Sequence, residues 1–248
     1  LGTAWAVDER RLVASAAVVL ALESHHDQGR RISVFNPRLE QEWEVADWHA
    51  PREYRQTLDD LSRLAQKEEE AFARLEQAET AEMRRQIEEE IVMLQERQFQ
   101  AFERQVDHDF GTLSVAERLP VTLPLAEEGR AAAAGANVTL LGVPVEIDDP
   151  LADPESPPPV VALQGRILSR RRTQDPAGSA WRIVVKLSED VAGQNWSGGA
   201  VLDGRGEVIG IYSRPTPPPF APEAAAAPIT THDVIEIDRA RALLRLGR

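Results

Sequence analysis

The chain is predicted to be an all-β protein interrupted by one helical insertion and closed by a C-terminal helix. Three observations carry that expectation. Residues 1 to 50 fall into short apolar runs separated by turn residues. From Pro51 to Val106 there is no glycine and no further proline, and the strong helix formers Glu, Gln, Arg, Ala and Leu dominate. After about residue 107 the short β-type runs return and continue to residue 231.

The first strands are expected at Thr3 to Val7, Leu12 to Val19, Arg31 to Phe35 and Glu42 to Ala46, broken at Asp8-Glu9-Arg10 and Asn36-Pro37. In the insertion, apolar residues recur at steps of three and four: Tyr54, Leu58, Leu61 and Ala65, then Phe72 and Leu75, and later Met83, Ile87, Ile91, Leu94, Ala101, Phe102 and Val106. Ala78-Glu79-Thr80 interrupts the pattern, and Thr80 is placed to cap a second helix with Glu82 in its first turn. Residues 51–106 are therefore predicted to form two antiparallel helices of roughly 25 residues, each about 38 Å long. The runs Glu68-Glu69-Glu70 and Glu88-Glu89-Glu90 are expected on its solvated face.

Leu113 to Val121 and Asn137 to Val145 are expected to complete the first β-domain, so that it comprises residues 1–50 and 107–147. The acidic, proline-rich residues 148–159 read as a linker between lobes. A second β-domain is expected over 160–231, with strands at Val160 to Arg172, Trp181 to Leu187 and Ala200 to Ser213. Arg170-Arg171-Arg172 reads as a charge cluster at a hairpin end, and Arg214 to Pro228 as an extended loop. Residues 232–248 are predicted helical, with Val234, Ile237, Ala240, Leu243 and Leu244 on one face.

Four segments carry a family resemblance. Gly193-Gln194-Asn195-Trp196-Ser197-Gly198-Gly199 resembles the Gly-x-Ser-Gly-Gly stretch that holds the nucleophile of trypsin-like serine proteases. Gly2-Thr3-Ala4-Trp5-Ala6-Val7 is similar to the opening strand of the bacterial members. Val13-Ala14-Ser15-Ala16-Ala17-Val18-Val19 is similar to the family's histidine turn, and Val106-Asp107-His108-Asp109-Phe110-Gly111-Thr112-Leu113 to its aspartate segment. Trp48-His49-Ala50-Pro51-Arg52-Glu53-Tyr54 resembles the stretch that precedes that segment. The order base, acid, serine is that of the chymotrypsin architecture. The resemblance implies two six-stranded antiparallel β-barrels, with the helical hairpin inserted in the first and a helix at the C-terminus.

The same resemblance implies a triad of Ser197 as nucleophile, Asp109 as orienting acid and a general base at the position of Ala17. It places the oxyanion hole at the backbone N–H groups of Asn195 and Ser197. Trp196, Ile211, Tyr212 and Ser213 are expected to line the substrate cleft. A serine hydroxyl needs an imidazole to take its proton and a carboxylate to orient that imidazole, and alanine supplies neither. Ala14 departs from the family's threonine as well, so the whole turn has drifted, which favours a natural loss of the base. Asn195 stands where the family has glycine and is expected to adopt a positive φ at some cost. Of the remaining histidines, His25, His26, His49 and His232 read as surface or turn residues. His108, beside Asp109, is the nearest substitute base in sequence, but neighbouring strand residues point to opposite faces.

Composition bounds the function classes. A net charge of −13 argues against non-specific binding to nucleic acid or an anionic membrane. The absence of cysteine excludes disulfides, thiol catalysis and cysteine metal sites, and no histidine pair has metal-ligand spacing. No metal or cofactor is expected. No apolar run approaches the roughly 20 residues of a membrane span, and Leu1 opens directly on a strand pattern, so any leader or anchor is expected to lie outside these residues. The motif style implies a bacterial origin, with the compartment open between cytoplasm and periplasm. The leading expectation is a catalytically impaired trypsin-like pseudoprotease that binds a protein or peptide through its cleft or its helical hairpin. The alternatives are an active serine endopeptidase whose general base was replaced at Ala17, and a self-associating platform built around the hairpin.

Overall fold

The first sheet forms where short apolar runs alternate with turns. Its strands are β1 (Ala4–Ala6), β2 (Arg11–Ala14), β3 (Ser33–Asn36), β4 (Gln41–His49) and β5 (Gly111–Val115), in the order β1-β2-β5-β4-β3, all antiparallel. The computed structural model describes residues 2–36, 38–130, 132–146, 159–172, 181–189, 191, 194–215 and 231–246. Leu1–Ala50 with Asp109–Arg248 make one unit, and Pro51–His108 make another.

Where a strand was expected through Val19, β2 ends at Ala14 and helix α1 (Ala16–Asp27) begins. Ser15 caps it, its hydroxyl accepting from the N–H of Val18 at 3.2 Å. The run Ala16 to Leu22 is apolar on both a helical and an extended count, so periodicity alone does not separate the two, and the serine cap decides.

The second sheet is a closed antiparallel barrel. Its strands are β6 (Asn137–Gly142), β8 (Val161–Arg172), β9 (Trp181–Leu187), β11 (Ala200–Leu202), β12 (Val208–Pro215) and β13 (Thr231–Glu236), in the order β11-β12-β13-β9-β8-β6. A two-stranded ladder joins β7 (Val145–Glu146) to β10 (Gln194–Asn195).

Two expectations are corrected by this topology. The strand read as completing the first domain, β6, instead pairs with β8 along its whole length and with β11. With that strand spent on the barrel, the first sheet among the described residues is an open, five-stranded half-barrel rather than a second closed six-stranded one. The segment expected to start the last helix at residue 232 is a strand to Glu236, hydrogen-bonded to β12 on one side and β9 on the other, and only α4 (Ile237–Leu246) is helical. Both faces of β13 are buried, which erases the alternation that marks a half-exposed strand. The expected linker 148–159 lies outside the described residues except for its last, and so does the loop beyond Pro215.

The barrel interior packs Val138, Leu140, Leu163, Ile167, Val185, Trp196 and Val234 among its buried side chains. A second cluster joins Trp5 and Val13 of the first sheet and Phe110 to Ile211, Ile235 and Leu244 on the outer side of the barrel and on α4. Side chains of this kind stabilise by roughly 1.5–3 kcal/mol each when fully buried.

The unit Pro51–His108 is the expected hairpin: α2 (Arg52–Glu76) and α3 (Ala81–Asp107), with Thr80 capping α3 by accepting from Met83 N at 3.1 Å. Leu64, Ala71, Leu75, Ile87, Ile91 and Leu94 form the seam. Part of the acidic run is spent between the helices rather than on solvent alone. Glu68 accepts from Gln95 and Gln98, and Arg74 meets both oxygens of Glu90 at 2.8 Å.

Candidate functional site

Asp109, just ahead of β5, is 7% exposed and sits against the first turn of α1. Its Oδ1 accepts from the N–H of Ala17 at 3.2 Å, and the N–H of Ala16 also donates to the carboxylate. Its Oδ2 accepts from Ser213 Oγ at 2.8 Å and from Ser197 Oγ at 3.4 Å. The carboxylate thus satisfies free N–H groups at a helix start, where the backbone dipole favours negative charge. Burial pushes the Asp109 carboxyl above the ordinary aspartate value, against the hydrogen bonds from Ser213, Ala17, Ala16 and Ser197 that pull it down. Asp109, Ala17, Ser197 and Ser213 therefore meet in one place although they are spread over much of the chain.

The serine loop is held by backbone. Gly198 N donates to Tyr212 O at 2.9 Å, and Tyr212 N donates to Gly199 O at 2.8 Å, so the loop is clamped to β12. Trp5 Nε1 donates to Gly198 O at 3.1 Å from the first sheet. Gly198 has φ of +89°, and a Cβ there would lie 2.5 Å from Thr3 O and 2.8 Å from Ser15 N. Only glycine fits a left-handed turn pressed this closely between β1 and the cap of α1.

Two features of the loop bear on catalysis. The side-chain oxygen of Asn195 accepts from the N–H of Ser197 at 2.9 Å, an i to i+2 bond of the kind asparagine makes in tight turns. A donor expected for the oxyanion hole is thereby occupied by the protein itself. The expected positive φ at Asn195 is absent, Glu40 being the one non-glycine residue with a positive φ among the described residues. Asn195 instead lies in β10, paired with Val145.

The second feature is distance. An imidazole bridging serine and carboxylate needs two hydrogen bonds of about 2.6–3.2 Å plus the width of its ring, so more than about 6 Å between the two oxygens. At 3.4 Å the serine hydroxyl bonds the carboxylate directly, and no ring fits between them. The hydroxyl thus meets a carboxylate, ordinarily a weaker base than an imidazole.

The cleft residues distribute differently from expectation. Trp196 is 2% exposed and points into the barrel interior, stacked close to Gly142, with Nε1 donating to Gln194 Oε1 at 3.1 Å. Its indole is too large to leave in water when a barrel core lies beneath it. Ile211 belongs to the cluster between sheets, and Tyr212 is buried in the barrel with its hydroxyl 3.0 Å from His232 Nδ1. Burial and the charge of Asp233 push the Tyr212 phenol well above its ordinary pKa, so it stays protonated. Of the four, Ser213 alone bonds to Asp109, a role its place after Tyr212 did not announce.

The five histidines are spread along the chain. His25 Nδ1 meets Arg30 at 3.1 Å, and the His26 ring packs edge-on to Trp48. His49 is exposed at the end of β4, His108 is the C-cap of α3, and His232 lies inside the barrel. No group of three or more His, Asp or Glu suited to a metal gathers among the described residues, and no described helix is long and apolar enough to cross a membrane. A cavity of about 300 Å³ lies by the β11–β12 turn, lined by Arg130, Ala133, Val138, Ile167, Asp203 and Ile209, and none of Asp109, Ser197 and Ser213 lines it. No protein-family model and no curated protein matches the chain.

Proposed function

We propose that the chain is a trypsin-like serine protease homologue that has lost cleavage and acts as a protein- or peptide-binding module. The observation that carries this reading is the direct approach of Ser197 Oγ to Asp109 Oδ2 at 3.4 Å, over an alanine where the base would stand. Three further features support kinship with the family. The acid takes hydrogen bonds from both Ser213 and the α1 N-terminus, the serine loop leads into β11, and β11 lies in a six-stranded closed barrel. The Asn195 side chain on the Ser197 N–H supports loss of the oxyanion hole as well as of the base.

A second reading is favoured by the retained contacts of Ser213, Asp109 and Ser197: an endopeptidase that lacks only its base. Incubating the Ala17→His variant with a proteome-derived peptide library, with cleavage read by mass spectrometry, separates the two. The binding-module reading expects no cleavage beyond that of Ala17→His/Ser197→Ala. Cleavage that depends on Ser197 would establish the endopeptidase instead.

A further inference from the structure

We infer that one side of the helical hairpin is a docking face for a basic amphipathic helix of a partner protein. Six of the eleven exposed large hydrophobic side chains among the described residues lie on this unit, including Phe72 at 46%, Val92 at 62%, Phe99 at 38% and Phe102 at 40% exposure. Phe72, Val92, Phe99 and Phe102 share one flank, whereas Met93 lies on the other. In an antiparallel pair, a residue turned about 100° past the seam in chain direction falls on the same side of both helices. Phe72 follows the seam residue Ala71 by one, and Val92 follows Ile91 by one.

The interhelical bonds fix the levels. Arg74 meets Glu90, and Glu68 meets Gln95 and Gln98, so Phe72 stands level with Val92 and Ala65 with Phe99. Leu61 and Leu58, both half-buried, continue the same side of α2 at three- and four-residue steps, as Phe102 continues that of α3. The result is an apolar strip along one flank, beyond the seam that already satisfies the two helices.

Charge selects the occupant. Residues 51–108 carry 15 Asp and Glu against 9 Lys and Arg. Five of the nine cations, Arg63, Lys67, Arg74, Arg97 and Arg104, fall on the opposite flank, where Arg63 pairs with Asp60 at 2.5 Å and Arg74 with Glu90. Glu69, Glu76, Glu88 and Glu96 edge the apolar strip. A second copy would bring glutamates against glutamates, whereas a helix with an apolar stripe bordered by Lys and Arg meets both the hydrophobic strip and its acidic edges.

This inference rests on the reading of the chain as a binding module, and its test separates the two. The full chain is titrated against a fluorescein-labelled 18-residue leucine/lysine amphipathic peptide and its leucine/glutamate counterpart, with binding read by anisotropy. The leucine/lysine peptide is expected to bind about tenfold more tightly than its counterpart, and to weaken several-fold between 50 and 300 mM salt. Phe72→Ser/Val92→Ser should weaken it about tenfold, while Met93→Ser, on the opposite flank, should change it by less than about twofold. Binding that is indifferent to Phe72→Ser/Val92→Ser overturns the inference. So does a dimer in sedimentation that the same double variant abolishes, since the face would then belong to a second copy. Ser197-dependent cleavage by Ala17→His would remove the pseudoprotease reading and leave the peptide result standing.

Discussion

The side-chain oxygen of Asn195 occupies the N–H of Ser197 at 2.9 Å, and the hydroxyl of the same serine is turned onto Asp109. Both groups that a serine protease offers its substrate are thus spent inside the protein. Asp109 in turn is committed to the α1 N-terminus and to Ser213, so these residues act as a structural junction between the first sheet and the barrel.

Asp109 gives that junction a pH signature. Its folded pKa is raised by burial, so between the unfolded value and the folded one the native state binds more protons than the unfolded chain, and stability falls as pH rises through that window. Asp109→Asn removes the titration and keeps one acceptor oxygen. Urea unfolding of both chains should show the parent losing ground to the variant as pH rises from about 4, and a pH-independent difference would contradict the assignment.

Trp196 distinguishes a core residue from a cleft residue. Buried at 2% exposure in the barrel, its replacement by alanine should cost about 3–5 kcal/mol in urea unfolding. A loss below about 1 kcal/mol is what a cleft-lining tryptophan would show.

Gly198 tests the seating of the serine loop. Gly198→Ala meets both a positive φ and a Cβ contact of 2.5 Å to Thr3 O, so a destabilisation of about 2 kcal/mol or more is expected. Gly206→Ala, also at positive φ but with open space around it, should cost less, and equal losses would place the strain in φ alone.

In the hairpin, the cap should outweigh the ion pair. Thr80→Ala should cost about 1 kcal/mol, because the N–H of Met83 loses its acceptor. Arg74→Ala should cost under about 1 kcal/mol, since Arg74 and Glu90 are both well exposed. Thermal melts of the two variants order them directly.

Local chemistry announced some of these elements and concealed others. The hairpin was legible because a run of helix formers without glycine or internal proline is broken once, at a threonine placed to cap a second helix. The meeting of Asp109 with Ser197 was legible from the motifs that carry them. Helix α1 was hidden because Ala16 to Leu22 is apolar at every position, so no period stands out. The strand β13 was hidden for a different reason: His232, Asp233 and Glu236 are buried along with Val234 and Ile235, so no alternation of apolar and polar residues marks it. The placement of β6 depends on which distant strand offers an edge, and nothing within Asn137–Gly142 encodes that. The Asn195 bond had a signal of its own, since asparagine two residues before a small residue in a tight turn commonly takes that N–H.

On the proposed reading, Ser197 is held inactive by its neighbours as well as by the alanine at position 17. The direct measurement is the rate of phosphonylation of Ser197 by a fluorophosphonate, followed by intact mass, in the parent, Ala17→His and Ala17→His/Asn195→Gly, each against its Ser197→Ala counterpart. The parent and Ala17→His are expected to stay at background, with a Ser197-dependent rate emerging, about tenfold or more above it, only when Asn195 is also released. Rapid labelling of Ala17→His alone would contradict that reading and favour the endopeptidase one instead.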